Sequence, residues 1–250
     1  MPNRTIVICA LVASLTSGAV LAQGNRGFTD EFPVADCEFE TRDFEADEAN
    51  RYFILEPGRE LHFNNFGCVA EGECDEFEEV VISVLNRTRD VTFSIDGVRK
   101  TVKTRVVRER ETADGELTEI SRNFFAQCDD TQDVYYFGEK VDDYEDGMIV
   151  GHSGEWLAGQ DGATPGIIFP GGAFLLGARY FQEVARGIAL DRAQHVRMNL
   201  DIEVPAGNFE DCVEVKETTP LEKGEVSRKV YCPGTGLVID DDLELEFIVE

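Results

Sequence analysis

The sequence predicts a mainly β protein, built as a single antiparallel, strongly curved sheet or open barrel with little helix. Short apolar or alternating runs such as "YFIL", "DVTFSI" and "VYYFGEK" recur through residues 51–250, and such runs are typical of strands. Asp-Gly pairs at 96–97, 114–115 and 146–147 separate several of them and favour tight hairpins. No segment rich in Pro, Gly or Ser divides the series, so we expect one sheet that curls or closes on itself.

The chain begins with a segment that has the features of a signal peptide. Arg4 precedes the apolar stretch "TIVICALVASLTSGAV", and "VLA" before Gln23 fits the small-x-small cleavage pattern. We therefore assign residues 1–22 to a signal peptide and expect a secreted or periplasmic location. Residues 23–50 are polar and acidic and predict an irregular N-terminal arm, whereas residues 51–250 predict a single β-domain.

One stretch within the β-domain is a helix candidate. The segment "ARYFQEVARGIALDRAQHV" has partial helical periodicity. It lacks an N-cap residue, and Gly187 and β-like flanks leave a strand interpretation open.

Six cysteines lie outside the signal segment, and an even number in an exported protein predicts disulfides. Cys68 and Cys74 flank a short polar loop, and Cys212 and Cys232 are centred on the turn "TPLEKGE". The remaining pair, Cys37–Cys128, would attach the arm to the middle of the sheet. No CxxC or zinc-finger spacing is present, so we predict no thiolate metal site.

The formal net charge of −27 argues against a nucleic-acid partner, because an acidic surface repels phosphates and anionic lipid head groups. No stretch after the signal segment is long and apolar enough to predict a membrane span. The acidic turn with Asp142, Asp143, Glu145 and Asp146 lacks the EF-hand spacing, and a solvated turn is the favoured interpretation. We therefore predict no cofactor, with calcium as the alternative; the sequence does not indicate an oligomeric state.

The segment "EWLAGQDGATPGIIFPGG", residues 155–172, is unusual within this pattern. It contains the only tryptophan, Trp156, and an apolar run between Pro165 and Pro170. Prolines restrict the backbone and glycines allow tight turns. We expect a stiff loop that acts as a lid over a cavity or as a plug in the core.

A candidate ligand site combines aromatic and carboxylate residues near this loop. Tyr and Trp offer flat apolar faces with one polar atom each, and a partly buried carboxylate has a raised pKa and can serve as an acid or a cation ligand. The competing interpretation makes Trp156 a core plug and Asp161 a turn residue that bonds backbone amides. The candidate residues are Tyr136, Glu139, Trp156, Asp161, Gln182 and Glu183.

Several segments together resemble a known family. They are "NRYFILEPGRELHF", "DVYYFGEKVDDYEDG", "GEWLAGQDGATPGIIFP" and "KETTPLEKGEVSRKVYCPGTGLV". They resemble exported bacterial proteins of unknown function with motifs close to "YFGE", "GSWxAGxDGAxPGI" and "TPLEP…KYYxPGxGLV". The resemblance implies secretion and a β-rich fold like the curved half-barrels of lipoprotein carriers, but no reaction. Phe124 and Cys128 stand where the family tends to have Trp and Asp, so an acid-dependent function would not carry over at those positions.

The favoured functional hypothesis is an exported, disulfide-stabilised protein that binds a small apolar or amphipathic ligand, since no catalytic signature is recognisable. One alternative is a hydrolase or isomerase that uses paired carboxylates, Glu139 or Glu183 with Asp161. Another is a calcium-dependent surface or matrix protein, which the net charge suggests.

Overall fold

The computed structural model describes residues 27–40, 48–95 and 97–250. The predicted signal peptide, part of the N-terminal arm and Asp96 of the first Asp-Gly pair lie outside the described residues. Of the described residues, 60% are in strands and 3% in helix, which confirms the mainly β prediction. Asp114 and Asp146, each followed by glycine, have positive φ angles, as the predicted hairpin turns require.

The described residues contain sixteen strands and one short helix. In chain order the elements are β1 (Phe39–Glu40), β2 (Glu60–Asn64), α1 (Phe66–Glu71), β3 (Glu78–Ile95), β4 (Val98–Ala113), β5 (Glu116–Cys128), β6 (Val134–Glu145), β7 (Met148–Gly151), β8 (Trp156–Leu157), β9 (Thr164–Phe169), β10 (Arg179–Phe181), β11 (Glu183–Val184), β12 (Arg192–Val204), β13 (Gly207–Thr218), β14 (Ser227–Cys232), β15 (Gly236–Asp240) and β16 (Leu243–Val249).

Thirteen strands follow one antiparallel path that nearly closes into a barrel but leaves an unsealed seam. The order along the path is β10-β12-β13-β14-β15-β16-β2-β3-β4-β5-β6-β9-β11, with β1 added to β5 and both β7 and β8 added to β6. The two ends of the path, β10 and β11, are consecutive in the chain, and only Gln182 separates them. The seam is therefore the place where the chain crosses from one end of the sheet to the other.

Close backbone approach at the seam depends on Gly166 of β9. A Cβ atom on this residue would lie 2.5 Å from the carbonyl oxygens of Phe181 and Gln182. Only glycine permits strand β9 to pack against the chain crossover at this distance.

Residues 27–40, which we call the N-terminal strap, lie across the seam. At one end, the Thr29 amide donates to the Arg179 carbonyl at 3.1 Å, and the Phe181 amide donates to the Thr29 carbonyl at 2.8 Å. At the other end, Phe39 pairs with Cys128 of β5. The described part of the N-terminal arm thus pairs with the sheet through its backbone at both ends.

Five aromatic residues, two of them from the strap, pack together on the face of β6 that holds Tyr135 and Phe137. The Phe39 ring lies 5.3 Å from both the Tyr135 and the Phe137 rings. Phe32 and Phe93 complete this aromatic cluster, at 6.3 Å from Tyr135 and 5.7 Å from Phe137. Tyr135 and Phe137 are fully buried, so the strap covers apolar surface that would otherwise contact water.

The three predicted disulfides are present. Cys37–Cys128 attaches the strap to the end of β5, Cys68–Cys74 joins α1 to the following turn, and Cys212–Cys232 links β13 to β14. Three disulfides fit an oxidising environment. In the part of the chain that is described, no helix is long and apolar enough to cross a membrane.

One local prediction was wrong, and one segment left open between helix and strand forms strands. The segment expected to be a loop contributes β8 and β9, and the run Ile167–Phe169 pairs with β6 as part of the barrel wall. The candidate helix forms β10, β11 and the start of β12. In both segments, backbone hydrogen bonds to distant strands outweigh local propensity.

Candidate functional site

The curved sheet surrounds a cavity of about 1150 Å³. Strands far apart in the sheet order contribute to its lining, so it lies on the concave face. The wall formed mainly by β2, β3 and β4, on the far side from the seam, contributes the aliphatic residues Leu61, Ile82, Val84 and Val107, beside the carboxylates Glu78 and Glu109. We call the four aliphatic residues the aliphatic wall.

The wall along the seam has the opposite character. Its polar side chains come from β6, from the chain crossover and from β13, and we call it the seam wall. It consists of Glu139, Gln182, Glu183, Asp191 and Glu217. The cavity thus has an aliphatic patch on one side and a group of carboxylates along the seam.

A β-bulge in β6 places Glu139 on the cavity side. Phe125 pairs with Tyr136 and Asn123 pairs with Glu139, so three steps along β6 oppose two steps along β5. The extra residue brings Tyr136 and Glu139 to the same face, although regular alternation would place them on opposite faces. Gly138 has φ +132°, and a Cβ there would lie 2.5 Å from the Trp156 carbonyl oxygen. The bulge therefore needs glycine.

Three aromatic rings lie beside Glu139. The Tyr136 ring packs on Phe125 at 4.8 Å and meets the Trp156 ring edge-on at 5.1 Å. Tyr136 donates its hydroxyl proton to Oδ1 of Asn123 at 2.6 Å and is also hydrogen-bonded to the Glu139 carboxyl group. Trp156 is 4% exposed, and its Nε1 has no hydrogen-bond partner among the described residues.

The crossover positions the other two candidate residues. Gln182 donates through Nε2 to Oε1 of Glu217 at 2.7 Å, which links the crossover to β13. Oε1 of Glu183 accepts a hydrogen bond from the backbone amide of Asp191 at 2.5 Å. Gln182 and Glu183 are 2% and 1% exposed, so their orientations are fixed by these contacts.

Burial dominates the electrostatics of the seam wall. Burial, reinforced by the charge of Glu119, raises the pKa of Glu139 well above its usual value. Burial, reinforced by Asp191, does the same to the pKa of Glu183. Because burial penalises the charged form, both carboxyl groups hold a proton above the usual range for glutamate.

One ammonium group lies beside this wall. Nζ of Lys229 is 2.7 Å from Oδ2 of Asp240 and 3.7 Å from Oε2 of Glu217. Glu109, with a pKa raised by burial to about 7, also interacts with Lys229. Lys229 is thus committed to Asp240, Glu217 and Glu109, which leaves the region around Glu139 and Glu183 with an excess of carboxylates.

Exposed acidic residues surround one end of the cavity. They come from the turn after α1 and from the β15–β16 turn, and we call them the acidic rim. The rim consists of Glu73, Asp75, Glu76, Asp241 and Asp242. The Cys68–Cys74 disulfide holds the first of these two turns.

Five of the six candidate residues line this cavity, and Asp161 does not. Asp161 is exposed, has φ +50° and lies in a turn beside a second pocket of about 170 Å³, which Glu139 and Trp156 also line. The carboxylate-pair enzyme that includes Asp161 stays a prediction.

The acidic turn considered for calcium is engaged with protein groups. Oδ2 of Asp142 lies 2.8 Å from Nη1 of Arg122, and Asp143 accepts hydrogen bonds from the amide and the hydroxyl group of Ser153. Calcium binding stays a prediction. Within the described ranges, Cys68, Cys74 and Asp242 are the group whose potential ligand atoms lie within 4.8 Å of one another, but both sulfur atoms belong to a disulfide and are not thiolate ligands.

Comparisons of the chain with protein-family models, with curated proteins and with solved structures gave no match. The resemblance to exported bacterial proteins therefore stays a prediction.

Sequence reasoning did not include four residues that face the same cavity, namely Glu109, Asp191, Glu217 and Lys229. A local signal existed for two of them. Glu217 and Lys229 lie on β13 and β14, in which apolar residues alternate with polar ones. A charged residue that falls on the buried face of such a strand indicates a specific partner. Their convergence with Glu139 could not be read from positions so far apart in the chain.

Proposed function

We propose that the protein binds a small amphipathic ligand inside the open barrel. The observation that carries this proposal is the cavity of about 1150 Å³ between the aliphatic wall and the seam wall. Ligand sites are concave, largely apolar and furnished with a few fixed polar groups, typically in about 300–1,000 Å³. The cavity combines aliphatic and aromatic lining residues with fixed polar groups, and its volume lies slightly above that range.

The burial of ionisable side chains supports the same proposal. Taking carboxylates out of water destabilises the fold unless other groups compensate for them. A core that served stability alone would be served better by apolar side chains at Glu139 and Glu183. Groups with strongly perturbed pKa values in a cavity are characteristic of binding and catalytic sites.

The proposal places the protein outside the reducing cytosol. The three disulfides and the apparent signal segment at residues 1–22 support export, to a secreted or periplasmic location, because disulfides persist in oxidising compartments.

Binding can be tested by calorimetry with ten-carbon probes that share a chain and differ in head group: decanol, decanoate and decyltrimethylammonium. We expect at least one probe to bind in a saturable one-to-one manner. The same titration can be followed by fluorescence, because Trp156 is the only tryptophan and lines the cavity.

A variant that fills the cavity provides the decisive control. Ile82→Trp places a large side chain on the aliphatic wall and should weaken binding by about tenfold or more. Val98→Trp, at a position that is 65% exposed, should leave the calorimetric affinity unchanged. The proposal fails if no probe binds, or if folded Ile82→Trp protein binds as well as the original protein.

A further inference from the structure

The chemistry of the seam wall points to the charge of the ligand head group. The charge of Glu139 interacts with that of Glu183, and Asp191 and Glu217 add further negative charge around Glu183. The nearby cation, Lys229, contacts Asp240 and Glu217. Carboxylates in a cavity of low polarity attract a positive charge more strongly than they would in water.

The aromatic residues beside Glu139 add a second feature that suits a cation. Trp156 and Tyr136 form part of the cavity lining together with Phe125. Ring faces attract alkylammonium groups within about 6 Å of the ring centre, with Trp the strongest of the three. The combination of aromatic rings with carboxylates distinguishes an organic cation from a bare metal ion, which needs converging oxygen ligands.

An unpartnered donor on the same wall is an observation independent of the acidic residues. Only 4% of Trp156 is exposed, and its Nε1 has no acceptor in the part of the chain that the structure describes. Buried indole N–H groups normally find a partner. A ligand that carries an oxygen acceptor near its charged group would supply one.

The acidic rim suits the approach of the same kind of ligand. Its exposed carboxylates form part of the cavity lining, and a cleft lined by one sign of charge raises the local concentration of the opposite charge. Anionic lipids and fatty acids would be repelled by the same residues.

We propose that the seam wall binds the charged head of an organic ammonium ion, with the apolar part of that ion against the aliphatic wall. This inference rests on the proposed function and specifies the ligand class. The head lies between the Glu139 and Glu183 carboxylates and against the rings of Tyr136 and Trp156.

Proton exchange accompanies this binding. Burial raises the pKa of Glu139 and Glu183, so a bound cation replaces a proton on the carboxyl groups. Affinity for a permanently charged ligand must then rise with pH. The groups that face the two carboxyls come from β4, β5, β6, β13, β14 and the turn before β12; they are Glu109, Glu119, Tyr136, Glu217, Lys229 and Asp191.

The test compares decyltrimethylammonium with decanol, two probes of equal chain length whose charge does not titrate. We expect the cation to bind at least about tenfold more tightly at about pH 8. Its affinity should fall by about tenfold between about pH 8 and about pH 5.5, while the affinity for decanol stays constant.

The double variant Glu139→Gln/Glu183→Gln should abolish the preference for the cation and keep decanol binding. Glu116→Gln on the exposed end of β5, outside the cavity lining, is the matched control and should keep the preference. Absence of binding by every probe would remove the proposed function and this inference together. Decanol binding without a preference for the cation, or a preference that survives the double variant, would overturn the inference alone. If the double variant does not fold, a pH-independent cation affinity in the original protein would overturn it.

Discussion

The two sides of the seam differ sharply in chemistry although one strand contributes to both. On the outer side, Tyr135 and Phe137 of β6 pack under the N-terminal strap in an aromatic cluster. On the inner side, Tyr136 and Glu139 of the same strand face the cavity beside carboxylates. All four side chains are buried, so burial alone does not distinguish structure from function.

The difference lies in what each buried group contacts. The aromatic cluster consists of rings packed on rings, and the strap above it is held by Cys37–Cys128. This arrangement stabilises the fold through apolar contact. The seam wall instead gathers ionisable groups whose desolvation opposes folding. The aromatic cluster on the outer face therefore stabilises the fold, whereas the seam wall on the inner face carries the candidate binding groups.

Removing the strap disulfide should have the largest effect. Cys37 and Cys128 are 91 residues apart, and the chain-entropy model assigns a crosslink of this span about 4–5 kcal/mol. We expect Cys37→Ser/Cys128→Ser to lower the free energy of unfolding by about that amount in denaturant titrations. Cys68→Ser/Cys74→Ser, which opens a loop with a separation of 6, should cost about 2 kcal/mol. Equal losses would contradict a special role for the strap.

Neutralising a buried acid on the inner face should stabilise the protein at high pH. Burial and the charge of Glu109 raise the pKa of Glu119 to about 8, while an unfolded glutamate titrates near about 4.3. The folded state therefore binds the proton more tightly, and stability falls as pH rises through this interval. We expect the free energy of unfolding of Glu119→Gln to exceed that of the original protein by about 2–3 kcal/mol at about pH 9. Below about pH 4 the two proteins should not differ.

Exposed Glu116→Gln on the same strand is the control for this pH dependence. It should show no comparable change across the same range. A Glu119→Gln variant that is less stable than the original protein at high pH would show that the carboxylate contributes a favourable contact.

Removing the hydroxyl group from one of two neighbouring tyrosines on β6 should have the smallest effect on stability. The two substitutions should change the free energy of unfolding in opposite directions. The hydroxyl of Tyr135 has no hydrogen-bond partner within the described ranges, whereas that of Tyr136 donates to Asn123 at 2.6 Å. We expect Tyr135→Phe to stabilise the fold by about 1 kcal/mol and Tyr136→Phe to destabilise it by about 1 kcal/mol. Thermal unfolding of the two variants measures both shifts, and a common sign would refute the contrast between the faces.

Much of the local structure could be predicted from the sequence. Asp114 and Asp146 mark hairpin turns because each precedes a glycine and can adopt positive φ. The spacing of Cys68 and Cys74 permits their disulfide through local geometry. Tyr136, Trp156 and Gln182 were recognisable as candidates by residue type and neighbourhood.

Other features depend on contacts that the sequence does not display. The β6 bulge is visible as an extra residue only when β6 is paired with β5, and without it Glu139 would face away from Tyr136. Residues 164–169 look like a loop because they contain Pro165 and Gly166, yet strands β6 and β11 complete their hydrogen bonding.

The sequence by itself determined the strand class, the turns and the Cys68–Cys74 pair, because side-chain alternation, backbone preference and close cysteine spacing act over a few residues. The Cys37–Cys128 pair spans 91 residues and followed only because the other four cysteines had been paired. Only the tertiary structure decided that the strap covers the seam and that Glu139, Glu183 and Glu217 share one wall. Those residues meet because the sheet curls until its first and last strands lie together, and the closure of a many-stranded sheet is a property of all its pairings at once.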